Sequence, residues 1–276
     1  MSQAPAHTPA TGAHQREHRR ERYGDRLFRP ERTATELPRL SALAAMYDDH
    51  TQRCLRALGI SPGWRCLDVG AGPGHLARWL AVMVAPEGTV TAMDRSTRML
   101  ETYANPTNLD PLEADALEAE PGTYDLVLCR IMLMHTRRRT DLLARLATWL
   151  RPGGWLLVGD DVDFTTPSSP HAALRQTFAA MRRMLNTTIG TDFHFARDYP
   201  GRLRDLGLTD IGVDAATPPL RAGSPANEFW LRTWDQLWPR MELDEAAYKE
   251  ARRLLQDPAV VDLSLTHITA WGRRPE

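Results

Sequence analysis

The residues best placed to do chemistry lie between Arg65 and Leu80, in the run RCLDVGAGPGHLARWL. Asp68 precedes three glycines at alternate positions, Gly70, Gly72 and Gly74. Glycines there keep the main chain free of Cβ atoms, so a ligand can approach it closely. The N–H groups of a helix beginning just beyond them face that ligand. Asp94 stands 20 residues after Gly74, closing the apolar run TVTAM. An ionised carboxylate offers two acceptor oxygens, which suits the two hydroxyls of a ribose; the plainer reading is a cap for a helix from Ser96. The pattern points to a nucleotide-like cofactor. A dinucleotide fingerprint, G-x-G-x-x-G, would need glycine at position 75, which His75 occupies.

The variant present, D-V-G-A-G-P-G-H-L, resembles motif I of the class I S-adenosylmethionine-dependent methyltransferases. The later runs YDLVLCRIM, which is similar to motif IV, and LRPGGWL carry the same resemblance. It implies that Gly70, Ala71, Gly72 and Gly74 hold the methionine end of S-adenosyl-L-methionine, while Asp68 reaches its amino group. Asp94 would take the ribose, and Arg95 and Met99 would cover the ribose or adenine face. Asp115 and Ala116 would meet the adenine amine and a ring nitrogen, with Glu113 and Glu118 as nearby competitors. Cys129 and Arg130 would touch cofactor and substrate together. Arg130 interrupts an apolar run and needs a partner, either a carboxylate of the fold or that of the cofactor.

The methyl acceptor and any base are less legible. His135 follows Arg130 by five residues and is either a general base or a helix cap beside Thr136. His194 sits in IGTDFHFARDYP, where Asp192 and Phe193 suit a small organic substrate. Asp160, Asp161 and Asp163 cluster after a strand; such carboxylates could hold Mg²⁺, but no further ligands at a recognisable spacing accompany them. We therefore expect no metal, and Asp161 facing the substrate. Tyr47 and Met134 complete the substrate candidates; Tyr47, Asp48 and His50 either line the pocket or belong to core and solvent.

These residues need a scaffold. Short apolar runs at Leu67–Val69, Thr89–Met93, Tyr124–Met132 and Trp155–Val158 read as strands, with a weaker one near Asn108–Ala114. Helical spacing over 36–58, 75–80, 137–150 and 171–185 separates or flanks them. Two parallel strands around a helix form a βαβ unit, and ligands in such sheets bind at the C-terminal strand ends. Residues 260–271 read as a final strand with a kink or bulge. The expected fold is α/β: a Rossmann-like, seven-stranded, mostly parallel sheet ending in an antiparallel hairpin, with an added helical lid. The expected divisions are a mobile arm over 1–35, anchored by Tyr23 and Phe28, and one methyltransferase domain over 36–276. Within it come cap helices at 36–60, a cofactor-binding core at 61–165, a lid at 166–200 and the rest of the sheet at 201–276.

Composition narrows the field. The chain has 276 residues, 42% hydrophobic and 25% charged, with a formal net charge of −1. That balance lacks the footprint of a general nucleic-acid binder. All basic residues but Lys249 are arginine, a bias we ascribe to base composition. Three isolated cysteines, Cys54, Cys66 and Cys129, fit a reducing compartment. No apolar run approaches the ~20 residues of a membrane span, and the first residues do not read as a secretion signal. The expected setting is cytoplasmic, with a small-molecule substrate, neither nucleic acid nor membrane as partner, and a homodimer left open. The resemblance implies methyl transfer to O, N or C of a small metabolite, as in bacterial natural-product methyltransferases. A cyclase or isomerase that binds S-adenosylmethionine without consuming it is the alternative.

Overall fold

Parallel strands with apolar residues on both faces build the centre of the molecule, seen in a computed structural model that describes Leu27, residues 33–120 and residues 122–276. The expected arm, with Tyr23 and Phe28, lies almost wholly outside these. Among the described residues nine strands form: β1 Arg65–Val69, β2 Thr89–Asp94, β3 Leu109–Glu113, β4 Tyr124–Arg130, β5 Leu150–Val162, β6 Thr209–Ala216, β7 Pro219–Arg221, β8 Val261–Leu263 and β9 Thr266–Arg273. Seven of them make one sheet in the order β3-β2-β1-β4-β5-β9-β6. All its pairings are parallel except those of β9, which runs antiparallel to both β5 and β6. The strand order reverses between β1 and β4, so their C-terminal ends part and open a crevice.

Seven α-helices among the described residues surround the sheet: α1 Thr33–Ala57, α2 His75–Val84, α3 Arg139–Thr148, α4 Ala172–Ile189, α5 Tyr199–Asp205, α6 Pro225–Leu237 and α7 Glu245–Gln256. Alternation along β1 sends Cys66 toward α1 and α2, and Leu67 and Val69 toward α3 and α5. Both faces of the strand are therefore buried, as in sheets covered by helices on each side. Gly59, with φ +80°, follows the end of α1, the left-handed stop expected of glycine there.

Two expectations need correction. The strand expected over Trp155–Val158 is much longer: β5 spans 13 residues and contains the Pro-Gly-Gly run that precedes Trp155. Gly153 takes φ +76° inside that strand, and hydrogen bonds exchanged with Arg274 carry the chain through the irregularity. The final strand, read as one bent element, is two. β8 pairs with β7 in a separate small sheet, while β9 enters the main sheet. Between them Ser264 donates its N–H to Pro218 O and accepts from Trp230 Nε1 at 2.8 Å, and Leu265 turns fully inward.

The helical cover is also larger than the segment 166–200. Helices α4, α6 and α7 share one apolar cluster with Leu27 and Ala42, centred on Phe178, Trp230 and Trp234. Phe178 meets both indoles edge-on, with centroids about 5 Å apart (5.1 and 5.0 Å). Residues 225–256, assigned above to the sheet part, thus build the roof over its C-terminal edge.

Candidate active site

The crevice at the C-terminal strand ends widens into a cavity of about 1650 Å³. Along the strand order its floor runs from Asp115 beyond β3, through Asp94 on β2, Asp68 and Gly70 at β1 and Arg130 on β4, to Asp161 on β5. Helices α1, α4 and α6 close it from above.

The glycine turn is held by its neighbours. Gly70 and Ala71 donate their N–H groups to Met93 O, and Gly72 N–H donates to Asp94 Oδ2 at 2.9 Å. Asp94 Oδ1 accepts from Ser96 N–H at 3.2 Å, but no helix begins at Ser96, so the bond closes a turn rather than capping a helix while Asp94 lines the cavity. Burial pushes the Asp94 carboxyl up, against the N–H bonds that favour its ionised form. Gly72, with φ +53°, has nothing within 4 Å of where a Cβ would point. That leaves main chain open to the cavity, as close ligand approach requires. Arg78 binds the turn from beneath, donating to Pro73 O at 2.5 Å and Leu100 O at 2.6 Å.

Asp68 is buried, which pushes its carboxyl up to about 7, while the Arg130 guanidinium pulls the other way. Arg130 donates to Asp48 Oδ1 at 2.6 Å and Thr51 Oγ1 at 3.1 Å. Of its two candidate partners, the carboxylate of the fold is present, and it comes from α1. Asp115 pairs with Arg95 at 3.2 Å and accepts from Leu117 N–H at 2.9 Å.

Among the sequence candidates, Asp68, Gly70, Ala71, Gly72, Asp94, Arg95, Met99, Asp115, Ala116, Arg130, Met134, His135, Asp161 and Phe193 line the cavity. Five do not. A Cβ on Gly74 would meet Leu100, not a ligand. Cys129 packs in the apolar core beneath β4, where burial pushes its thiol up. Tyr47 is fully buried and stacks on His267, with centroids 4.3 Å apart. Asp192 pairs with Arg139 and accepts from His194 N–H. His194 itself is exposed, away from the cavity.

The three acids, Asp160 and Asp161 on β5 and Asp163 just beyond it, go three ways and form no candidate ion site among the described residues. Asp163 accepts from Thr166 and pairs with Arg182. Asp160 accepts from Tyr199 O–H and from Met134 N–H, and burial pushes its carboxyl up to about 7. Asp161 alone faces the cavity, and its Oδ1 lies 2.8 Å from Nδ1 of the buried His267. An ionised carboxylate can only accept, so Nδ1 carries the proton. Burial pushes His267 down, which keeps the ring neutral. His135 sits on the wall with Nδ1 2.9 Å from Thr191 Oγ1, and burial beside Arg39 and Arg139 pushes it down to about 3. A ring so reluctant to accept a proton makes a poor base.

Several residues of the wall or behind it carry no sequence signal. Behind it, Arg78 of α2 is one arginine among many in the chain, and His267 is a strand residue with no spacing to mark it. Glu36 and Arg39, buried and paired at 2.7 Å, read as the polar side of α1. Phe229, Trp230 and Leu265 come from segments remote in the chain.

Strand order, glycine turn and the acids at the strand ends make this chain similar to the class I S-adenosylmethionine-dependent methyltransferases. The family model described as "Methyltransferase domain" matches residues 67–158. Among curated relatives, the trans-aconitate 2-methyltransferase of Mycobacterium tuberculosis is 31% identical over 156 residues, which is 54% of this chain and 58% of that protein. The chain thus matches little more than half the length of that relative. The ubiquinone biosynthesis O-methyltransferase of Burkholderia multivorans is 37% identical over 102 residues, 34% of this chain and 43% of that one. Among solved structures, phosphoethanolamine N-methyltransferase 2 of Haemonchus contortus, in complex with phosphomonomethylethanolamine and S-adenosylhomocysteine, gives a TM-score of 0.51 at 18% identity. That similarity covers 83% of this chain and 53% of that one, and at such identity it speaks for the fold.

Proposed function

We propose that this protein transfers the methyl group of S-adenosylmethionine to an oxygen, nitrogen or carbon nucleophile of a small metabolite, in the manner of natural-product tailoring enzymes. The observation that carries this reading is the single cavity of about 1650 Å³ running from the glycine turn to Asp161. Sites for one small ligand span about 300–1,000 Å³, so this one has room for a cofactor and an acceptor together. The relatives named for trans-aconitate and ubiquinone biosynthesis also act on small molecules by their names.

The residues present fit the cofactor chemically. Asp68 would meet its ammonium, the open backbone at Gly70–Gly72 its methionine end, Asp94 its ribose hydroxyls, and Asp115 with the Ala116 N–H its adenine; that all of them line one cavity supports this reading. When bound, S-adenosylmethionine supplies a methyl already made electrophilic by the sulfonium; the acceptor's lone pair takes the methyl, and the S–CH₃ electron pair stays on sulfur. The protein's part is to align the acceptor and exclude water, and such alignment supplies much of the rate. Where the nucleophile carries a proton, Asp161 is the group on the wall that can receive it, steadied by His267.

The test is to incubate the full chain with S-adenosylmethionine and extracts of small metabolites, following S-adenosylhomocysteine by mass spectrometry. Formation of S-adenosylhomocysteine with a product heavier by one methylene supports the reading. Binding of S-adenosylmethionine that stays intact while an acceptor is isomerised or cyclised would replace it with the non-methylating alternative.

A further inference from the structure

The acceptor end of the cavity differs in chemistry from its cofactor end. Its wall is apolar over two helices and two loops: Met181 and Leu185 from α4, Phe229 and Trp230 from α6, and Phe193 and Leu265 from the loops beside β5 and β9. The charged groups among them are already committed. Glu36 and Arg39 neutralise each other at 2.7 Å, with the guanidinium 5.7 Å from the Phe229 ring centre. Arg130 is held by Asp48 and Thr51. Arg138, exposed, is paired with Asp141, while exposed Arg137 packs against Gly190 and donates to Thr188 O. Asp161 remains, with a neutral histidine as its neighbour.

Resting on the methyltransferase reading above, we propose that the acceptor chamber selects an uncharged, mainly apolar molecule, most simply an aromatic one, whose nucleophile is a hydroxyl or amine that donates its hydrogen to Asp161. A second carboxylate beside Asp161 would be desolvated with no uncommitted guanidinium among the described residues to meet it, a heavy cost in an apolar enclosure. A hydroxyl or amine meets the opposite situation: it brings a donor to a carboxylate, and its ring covers Trp230, Phe229 and Leu265. In the transfer, the nucleophile's lone pair forms the new bond to the methyl carbon while the S–C pair returns to sulfur. The O–H or N–H proton then passes to Asp161 and on to solvent. A tricarboxylate fits none of these features.

Calorimetry on the full chain tests this, first with S-adenosylhomocysteine alone and then, at saturating S-adenosylhomocysteine, with 2-naphthol, 2-naphthoate and tricarballylate. The expected result is 2-naphthol binding about thirtyfold or more tighter than 2-naphthoate, and no measurable tricarballylate binding. Asp161→Asn should bring the two naphthyl probes within about threefold of each other while leaving S-adenosylhomocysteine affinity unchanged. Should Asp161→Asn fail to fold, Leu185→Arg provides the second arm, since a cation placed in the chamber should reverse the preference toward 2-naphthoate. Equal or tighter binding of either carboxylate by the unaltered chain would overturn the inference, as would binding of none of the three. Failure of S-adenosylhomocysteine itself to bind would instead overturn the methyltransferase reading, so the two failures are distinguishable.

Discussion

His267 and Asp161 face each other across the antiparallel pairing of β5 with β9, Nδ1 to Oδ1 at 2.8 Å, with both side chains buried. A carboxylate so held has one oxygen fixed by a donor, which orients the other. His267→Ala should lower kcat about ten- to hundredfold, the size of effect expected from misplacing a reacting group by about 1 Å. S-adenosylhomocysteine affinity should stay within about twofold, and His267→Asn, which keeps an N–H donor, should recover part of the loss. A fall in KM with kcat intact would show that His267 does not position the carboxylate.

Asp94 accepts from Gly72 and Ser96 and lies on the cavity wall. Removing its carboxylate strands two backbone donors and would leave the two ribose hydroxyls without an acceptor. Hydrogen bonds to charged groups contribute about 1.5–3 kcal/mol each, so Asp94→Ala should weaken S-adenosylhomocysteine binding by about a hundredfold or more. Calorimetry giving the unaltered affinity would remove the ribose assignment.

Burial pushes Asp68 up to about 7, and a cationic ammonium beside it would favour the ionised form. Binding below that pH must expel a proton. Affinity for S-adenosylhomocysteine should therefore rise with pH, at most about tenfold per unit below 7, and level off above about 8. Asp68→Asn should bind more weakly and lose the slope. Proton release, read from calorimetry in buffers of different ionisation enthalpy, checks the sign; a flat profile in the unaltered chain would sink the assignment.

Asp160 titrates in the opposite sense to a salt-bridged acid. Its carboxyl is pushed up to about 7 by burial, so the native state keeps a proton that the unfolded chain loses near pH 4. The stability that proton brings is present at low pH and declines as pH rises toward 7. Melting curves of the unaltered chain and Asp160→Asn should therefore differ by several degrees more in favour of the former at pH 4.5 than at pH 8. A difference independent of pH would contradict this.

Gly72 and Gly74 separate two uses of glycine. Both have positive φ, +53° and +75°, but a Cβ at Gly74 would lie 2.0 Å from Leu100 Cδ1, while one at Gly72 meets nothing within 4 Å. Gly74→Ala should cost about 2–4 kcal/mol of stability from overpacking and backbone strain together. Gly72→Ala should cost about 1–2 kcal/mol yet weaken cofactor binding at least tenfold, by filling the approach to the main chain. Thermal melts paired with S-adenosylhomocysteine titrations distinguish the two.

How far the sequence could be read follows from what is local. Strand β1, its glycine turn and Asp94 were legible because spacing along a βαβ unit is nearly rigid, so sequence distance stands for spatial distance. The pairing of Asp161 with His267 was not, since it joins residues 106 apart through a strand register that no local pattern encodes. Burial of Tyr47 was likewise invisible: a tyrosine on an apolar helix face looks the same whether it meets a ligand or another ring. The separation of β8 from β9 misled for a third reason. Alternating apolar residues persist through 260–271, and only the partners, β7 for one and β5 and β6 for the other, tell the two strands apart.

That separation also has a mechanical side. Ser264 and Leu265 are all that lies between β8, which belongs to the cover, and β9, which holds His267. Leu265 is part of the chamber wall, two residues from the ring that steadies Asp161. A two-residue joint leaves little slack, at most about 3.3–3.6 Å of reach per residue. Any movement of the cover away from the sheet would therefore be transmitted to β9 at the point where the proposed proton acceptor is supported. Such a joint would act as an interlock, tying closure of the chamber over its guest to the alignment of the group that would act on it.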